Sequence, residues 1–181
     1  VVVKLFTLIP NANRVKFFCL ITVIVPQAKT ILVFLLALTN NMQQNYLQPS
    51  MQAGREFIMQ KISGSVVMLN LLRFKPIANY AQTPHLAPPQ PISGEEAYQR
   101  YIQHTLPHLQ KSGGEIIFMG SGKNFLIGPV DEHWHAVLLV RQQSVQSFMA
   151  FEQNIEYMKG IGHRTAALED SRLLPLTENK I

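Results

Sequence analysis

The sequence predicts an α+β domain whose elements run strand, helix, strand, strand, helix, strand, giving a four-stranded antiparallel sheet with two helices on one face. Three observations predict it. SVVMLNLLRF at 65–74 is an unbroken apolar run between Gly64 and Pro76, too short for a buried helix and rich enough in valine and leucine for a buried strand. Ser93-Gly94-Glu95-Glu96 is a capping box, in which the serine hydroxyl accepts from the Glu96 amide while the glutamate reaches back. WHAVLLVRQ at 134–142 is a second strand-like run, and Ser144 follows it as a good N-cap.

In chain order, Gln48 to Lys61 reads as a short helix ending near Ser63 and Gly64. Ser65 to Phe74 is the first strand, expected to be buried on both faces. Residues 76–92 hold five of the eleven prolines without periodicity, so a long loop is expected there. The capped helix starts at Gly94. Ala97, Tyr98, Tyr101, Ile102, Thr105 and Leu109 return every three or four residues and form its inner stripe, with Pro107 near the end and Ser112-Gly113-Gly114 as the stop.

Glu115 to Gly120 reads as a strand, Ser121 to Asn124 as a turn and Phe125 to Ile127 as a short extension before Gly128-Pro129. After the strand at 134–142, a helix runs from Ser144 to about Gln153, followed by a helical turn or two over Ile155 to Ile161. Ala166 to Leu174 is the last strand, closed by Pro175. This order is the ferredoxin-like arrangement, which leaves one sheet face bare. A bare apolar face of that size is an association surface, so two copies are expected to stack sheet to sheet as a homodimer.

Composition narrows the function classes. The chain carries a net charge of +5, but residues 1–41 contribute Lys4, Arg14, Lys16 and Lys29 and no acid. Removing those four from 16 basic residues leaves 12 against 11 acidic ones, a body without the basic stripe that nucleic-acid binding needs. The one cysteine, Cys19, lies in the same segment, so the body has no thiolate nucleophile and no internal disulfide. His133 and His135 share a strand face, and His104 and His108 lie one helical turn apart, but neither pair has a third ligand by spacing. No metal and no cofactor is expected. Gly120-Ser121-Gly122-Lys123 lacks the spacing of a phosphate-binding loop.

Residues 1–41 contain two apolar runs, Phe17 to Val25 and Ile31 to Leu38, split by Pro26 and Lys29. Three readings fit. A spanning helix would hold Lys29 in the hydrocarbon at roughly 2.5–3.5 kcal/mol, which makes a membrane partner the minority reading. A signal peptide would use Lys29 as its charged flank and Ala37 and Thr39 as the small residues before cleavage. The third reading, which is the one adopted, places the true start at Met42 or Met51 and leaves residues 1–41 outside a domain spanning 42–181. A cytoplasmic location follows from it, with export or membrane anchoring as the alternative if residues 1–41 belong to the mature protein.

Five segments carry a resemblance: GSVVMLNLLRF at 64–74, PISGEEAYQRY at 91–101, SGGEIIFMG at 112–120, LIGPVDEHWHAVLLVR at 126–141 and HRTAALEDSRLLP at 163–175. In matching order, from about Tyr46 to Pro175, they resemble the family catalogued as domain of unknown function 1330. The resemblance implies the dimeric α/β-barrel superfamily, hence a homodimer. Relatives in that superfamily range over cofactor-free monooxygenases, lactone isomerases, haem enzymes and stress-induced proteins, so the fold does not choose the chemistry. The sequence departs from the family where an acidic residue after Trp134 and a Tyr-Pro pair before Ser144 are expected, holding instead His135, Gln142 and Gln143.

Polar residues inside apolar strands must find partners, which singles out Asn70 and Arg73. Glu169, Asp170 and Arg172 sit on the last strand, which neighbours the first in this topology. Because alternate residues face opposite ways, one set can line a pocket between the sheets while the other forms ion pairs under the helices; ion pairs at the fold or dimer interface are the favoured alternative. The candidates for polarising a substrate or moving a proton are Asn70, Arg73, Asp131, Arg164 and Asp170. Those for contacting a ligand are Trp134, His135, Glu169 and Arg172. Tyr98 and Tyr101 belong to the buried stripe and read as core packing. The functional expectation is a small cofactor-independent enzyme acting on a hydrophobic organic substrate between sheet and helices. The alternative is a non-catalytic dimeric module that binds a small ligand or serves a stress role.

Overall fold

Strand β1 (Val66–Phe74) occupies an inner position of the sheet in the computed structural model, which describes residues 45–178. Helix α1 (Met51–Met59) precedes it, capped by Ser50 through the amide of Ala53. After it come α2 (Gly94–Lys111), β2 (Glu115–Ser121), β3 (Ala136–Gln142), α3 (Val145–Glu152), α4 (Ile155–Met158), α5 (Ile161–Ala167) and β4 (Leu168–Leu176). The order across the sheet is β2-β3-β1-β4, with every pair antiparallel. This is the ferredoxin-like fold. The readings made for residues 1–41 lie outside the described residues.

The two faces of the sheet differ because side chains alternate along each strand. Leu72 and Phe74 of β1, Ala136 and Leu138 of β3 and Leu168 of β4 share one core with Ala97, Tyr98, Tyr101 and Leu109 of α2 and Ala166 and Ala167 of α5. A fully buried leucine or tyrosine of this kind contributes on the order of 1.5–3 kcal/mol. On the opposite face Val67, Leu69, Leu71, Val137 and Leu139 are only half-buried. Among the described residues the first strand is thus covered on one face rather than on both, because the helices that cross the sheet pack on the same side.

The capping box at Ser93 forms as expected, with the Glu96 amide donating to the serine hydroxyl at 3.1 Å and the Ser93 amide donating to the glutamate at 2.9 Å. A side chain at Gly94 would place its Cβ 2.4 Å from the Lys75 carbonyl and 2.6 Å from that of Ala167. That glycine lets the start of α2 settle on the end of β1 and on α5. At the other end Gly113 turns the chain at φ +79°, a left-handed conformation that glycine adopts without cost. The proline-rich loop is pinned by Ala78 to Ile92, by Asn79 to Ala166, and by Tyr80, whose hydroxyl lies 2.9 Å from His163 Nδ1.

Two expected elements are corrected. Phe125 to Ile127 do not extend a strand: the pairing beyond β2 is a single bridge, Asn124 to His133, and Leu126 and Ile127 are almost fully exposed in a loop. The last strand begins at Leu168 rather than Ala166, because residues 161–167 form α5, which the glycines at 160 and 162 hide from a propensity reading.

Two irregularities in pairing decide which side chains face where. Between Arg73 and Phe74 the β1–β4 register shifts, so that Arg73 pairs with Asp170 and Phe74 with Leu168, leaving Glu169 as the extra residue of a bulge. A second shift between Ile116 and Phe118 sends Ile116 to the helix side and Phe118, paired with Leu139, to the bare side. Among the described residues no helix is long and apolar enough to cross a membrane.

Candidate functional site

Between the sheet and the helices lies a cavity of about 420 Å³. Its floor is the helix-side row of the sheet: Met68 and Asn70 of β1, Ile116 of β2, Leu138, Val140 and Gln142 of β3, and Leu173 of β4. The roof is the inner stripe of α2, with Phe148, Phe151 and Glu152 of α3, Tyr157 of α4 and Arg164 of α5. Leu47, Gln48 and Pro49 close one side. The volume falls in the range of roughly 300–1,000 Å³ that small-molecule sites occupy, and the lining has their character, mostly apolar with a few polar groups.

Those polar groups gather under α2. Tyr101 and Tyr157 share a hydroxyl-to-hydroxyl hydrogen bond of 3.1 Å, and the Tyr157 hydroxyl lies 3.4 Å from Glu152 Oε1. The rings form a continuous stack, with Tyr98 and Tyr101 centroids 5.3 Å apart and Phe151 and Tyr157 4.3 Å apart. Burial pushes all three tyrosine hydroxyls well above the ordinary phenol range, so they remain protonated donors at any physiological pH. Glu152 is an exposed residue whose carboxyl is desolvated where it reaches inward; that desolvation raises its pKa against the pull of Arg164 and the Tyr157 hydroxyl.

Arg164 is held by its own donations. One terminal nitrogen donates to the Leu47 carbonyl at 2.7 Å and the other to the Ser171 hydroxyl at 3.3 Å. The Ser171 hydroxyl in turn donates to the Tyr46 carbonyl. Gln142 is almost completely enclosed, and its Oε1 has no hydrogen-bond partner among the described residues. The Thr105 hydroxyl sits near that of Tyr101 without completing a hydrogen bond. Unsatisfied buried polar atoms are uncommon and call for a partner.

Of the residues singled out from the sequence, Asn70 and Arg164 line this cavity, Asn70 with its amide donating to the Met68 carbonyl at 3.0 Å. Arg73, Asp170 and Arg172 gather on the other side of the sheet. Asp170 is fully buried and bonds Arg73 at 3.1 Å and Arg172 at 2.7 Å, while Glu169 approaches the Arg73 Nε at 3.5 Å. Trp134 lies under both cations, 5.7 Å from Arg73 and 5.0 Å from Arg172, a stack that adds attraction between guanidinium and ring. His135 flanks this cluster, accepting the Phe74 amide on Nδ1 at 2.8 Å, and burial lowers its pKa. Asp131 is exposed in the β2–β3 loop, apart from both groups. Among the described residues no three His, Cys, Asp or Glu side chains gather as a metal ion requires.

Glu152, Gln142, Thr105 and the three tyrosines were not singled out as site residues from the sequence. A stripe of tyrosines at helical spacing reads as core, and it is only the break between α3 and α4 at Asn154 that turns Tyr157 towards Tyr101. Gln142, a polar residue on the core face of an apolar strand, carried the same signal as Asn70.

Two solved structures share this fold across three quarters of the chain. The methylated RPA0582 protein is 32% identical, with a TM-score of 0.67 over 75% of this chain and 96% of its own. The RPA0582 protein of unknown function from Rhodopseudomonas palustris is 33% identical, with a TM-score of 0.66 over 76% of this chain and all of its own, 100%. This chain belongs to the RPA0582 family. A dimeric protein of unknown function and ferredoxin-like fold from Bacteroides fragilis is also similar, at 13% identity and a TM-score of 0.37 over 62% of this chain and 94% of its own. No family model matches the chain, and no curated protein does.

The raised pKa of Glu152 has a consequence for stability. As pH rises from its ordinary value of 4.5, the unfolded chain releases this proton before the folded chain does, so the group's contribution falls across that window and stays low above it. Glu152→Gln is therefore expected to gain stability over the parent as pH rises above about 4.5, measured as the difference in denaturation midpoint at each pH. A difference that does not change with pH would show that the carboxyl titrates alike in both states.

Proposed function

We propose that this chain is a homodimeric small-molecule protein, related to domain of unknown function 1330, which holds an apolar organic molecule in the cavity between sheet and helices and acts on it without a cofactor. The cavity itself carries the reading: it is mostly apolar, yet Arg164, Glu152, Asn70 and the tyrosine hydroxyls meet there. Arg164 and the phenols suit the polarisation of a carbonyl or the stabilisation of developing negative charge. Glu152 supplies a carboxyl, its pKa raised by desolvation, that lies beside the Tyr157 hydroxyl and can exchange a proton with a bound molecule.

A second reading, a ligand-binding module without catalysis, is favoured by the separation of Arg73, Asp131 and Asp170 from the cavity. Both readings need an occupied cavity. Titration with indole, a neutral apolar probe, is expected to raise the melting temperature of the parent chain and to leave that of Ile102→Trp, whose side chain fills the cavity, unmoved. An equal rise in both would place the probe elsewhere and sink the cavity as the site.

The homodimer is supported by the bare face. Val67, Leu69, Leu71, Val137 and Leu139 form its centre, Phe118 and Leu174 add side chains that are each 53% exposed, and the Arg141–Glu115 ion pair at 2.7 Å stands beside them. An apolar centre with a charged margin is the anatomy of an interface. Light scattering is expected to give twice the 20.5 kDa chain mass, and Leu139→Asp to return it to one. A parent chain that stays monomeric would leave that face to some other cover.

A further inference from the structure

Among the described residues Arg164 enters the cavity as a cation without an ion-pair partner. Both groups that it bonds, the Leu47 carbonyl and the Ser171 hydroxyl, are neutral. Among the described residues no carboxylate lies within ion-pair distance of it, the ion pairs being those of Arg73, Arg141, Lys159 and Arg172. A guanidinium keeps its charge in any surroundings, and holding one against an apolar chamber is costly unless an anion compensates it. Glu152 feels that charge, but desolvation works against its ionisation.

Beside those two acceptors and Glu152, the groups around Arg164 are phenol hydroxyls, of which those of Tyr101 and Tyr157 bond each other and that of Tyr157 also bonds Glu152. Tyr98, Tyr101 and Tyr157 all sense its charge, and all three are buried phenols. The Tyr98 hydroxyl bonds no described residue. A fixed cation flanked by neutral O–H donors is a receptor for one negative charge on oxygen, since planar guanidinium matches a carboxylate through paired N–H donors. A phosphate dianion would find one positive charge where it needs two.

From Arg164 the cavity continues along Leu138, Val140 and Ile116, an apolar stretch of a floor whose other polar residues, Asn70 and Gln142, are neutral. At about 30 Å³ for each water-sized unit, its volume admits a molecule of roughly a dozen heavy atoms. We propose that the ligand is a monoanionic organic acid, an aromatic or aliphatic carboxylate, whose carboxylate meets Arg164 and whose apolar tail lies on the sheet. This assignment rests on the cavity being the ligand site and adds the substrate class to it.

Calorimetric titration of the full chain with two matched pairs, cinnamate with cinnamamide and hexanoate with hexanamide, tests both levels. Each acid is expected to bind at least about tenfold more tightly than its amide. Arg164→Gln should bring the better acid down to its amide and leave the amide unchanged, while Arg164→Lys should recover part of the difference. Acid and amide binding equally, both abolished by Ile102→Trp, would overturn the acid assignment and keep the cavity. Binding that Ile102→Trp does not touch, or no binding by either pair, would overturn both.

Discussion

The buried carboxylate of Asp170 is the point on which the architecture around the cavity depends. Fully withdrawn from water, it accepts from Arg73 at 3.1 Å, from Arg172 at 2.7 Å, from the Ser171 amide at 2.9 Å and from the Tyr46 amide at 2.7 Å. Those four donations join β1 to β4, stabilise the bulge at Glu169 and tie the incoming chain to the edge of the sheet. Breaking a buried pair of this kind costs about 3–5 kcal/mol, because the remaining partner keeps its charge without compensation. From Tyr46 the chain passes round the edge strand, and its next three residues form one wall of the cavity. Arg172 lies over the Tyr46 ring at 4.6 Å and reinforces the same attachment.

One strand separates the two functions of the sheet. In β1 the residues at 68, 70 and 72 face the helices and those at 67, 69 and 71 face away, so a single alternation supplies both the cavity floor and the bare face. Interior polar groups on the helix side act in surroundings of low dielectric, where a cation and desolvated hydroxyls exert far more influence than on the surface. On the other side the charged residues are paired with one another and with Trp134. Ion pairs on one face and, among the described residues, a cation without an ion-pair partner on the other give the two faces different chemistry.

Much of the fold was legible in the sequence because its signals are local. The apolar run of β1, the capping box at Ser93 and the serine cap of α3 each mark an element by short-range chemistry, and they fix the order from which the antiparallel sheet follows. Asn70 was legible as a polar residue in an apolar strand that needs a partner, and Arg164 was named among the candidates without a local signal of that kind. What escaped was set by pairing and packing at long range. Helix α5 hides behind glycines at 160 and 162, the bulge at Glu169 has no sequence mark, and the convergence of Tyr101, Tyr157 and Glu152 requires three helices to meet. The separation of Arg73 from Asn70 follows from their odd spacing along one strand. Which of the two faces the cavity depends on where the helices pack.

Methyl resonances of the full chain, followed during titration with cinnamate, test most directly whether the helix-covered face is the working one. Perturbations are expected at Ile116, Leu138 and Ile161, which line the cavity, with Leu69, Leu71 and Leu139 on the opposite face unmoved. The reverse pattern, changes confined to Leu69, Leu71 and Leu139, would contradict the account and move ligand recognition to the bare face of the sheet.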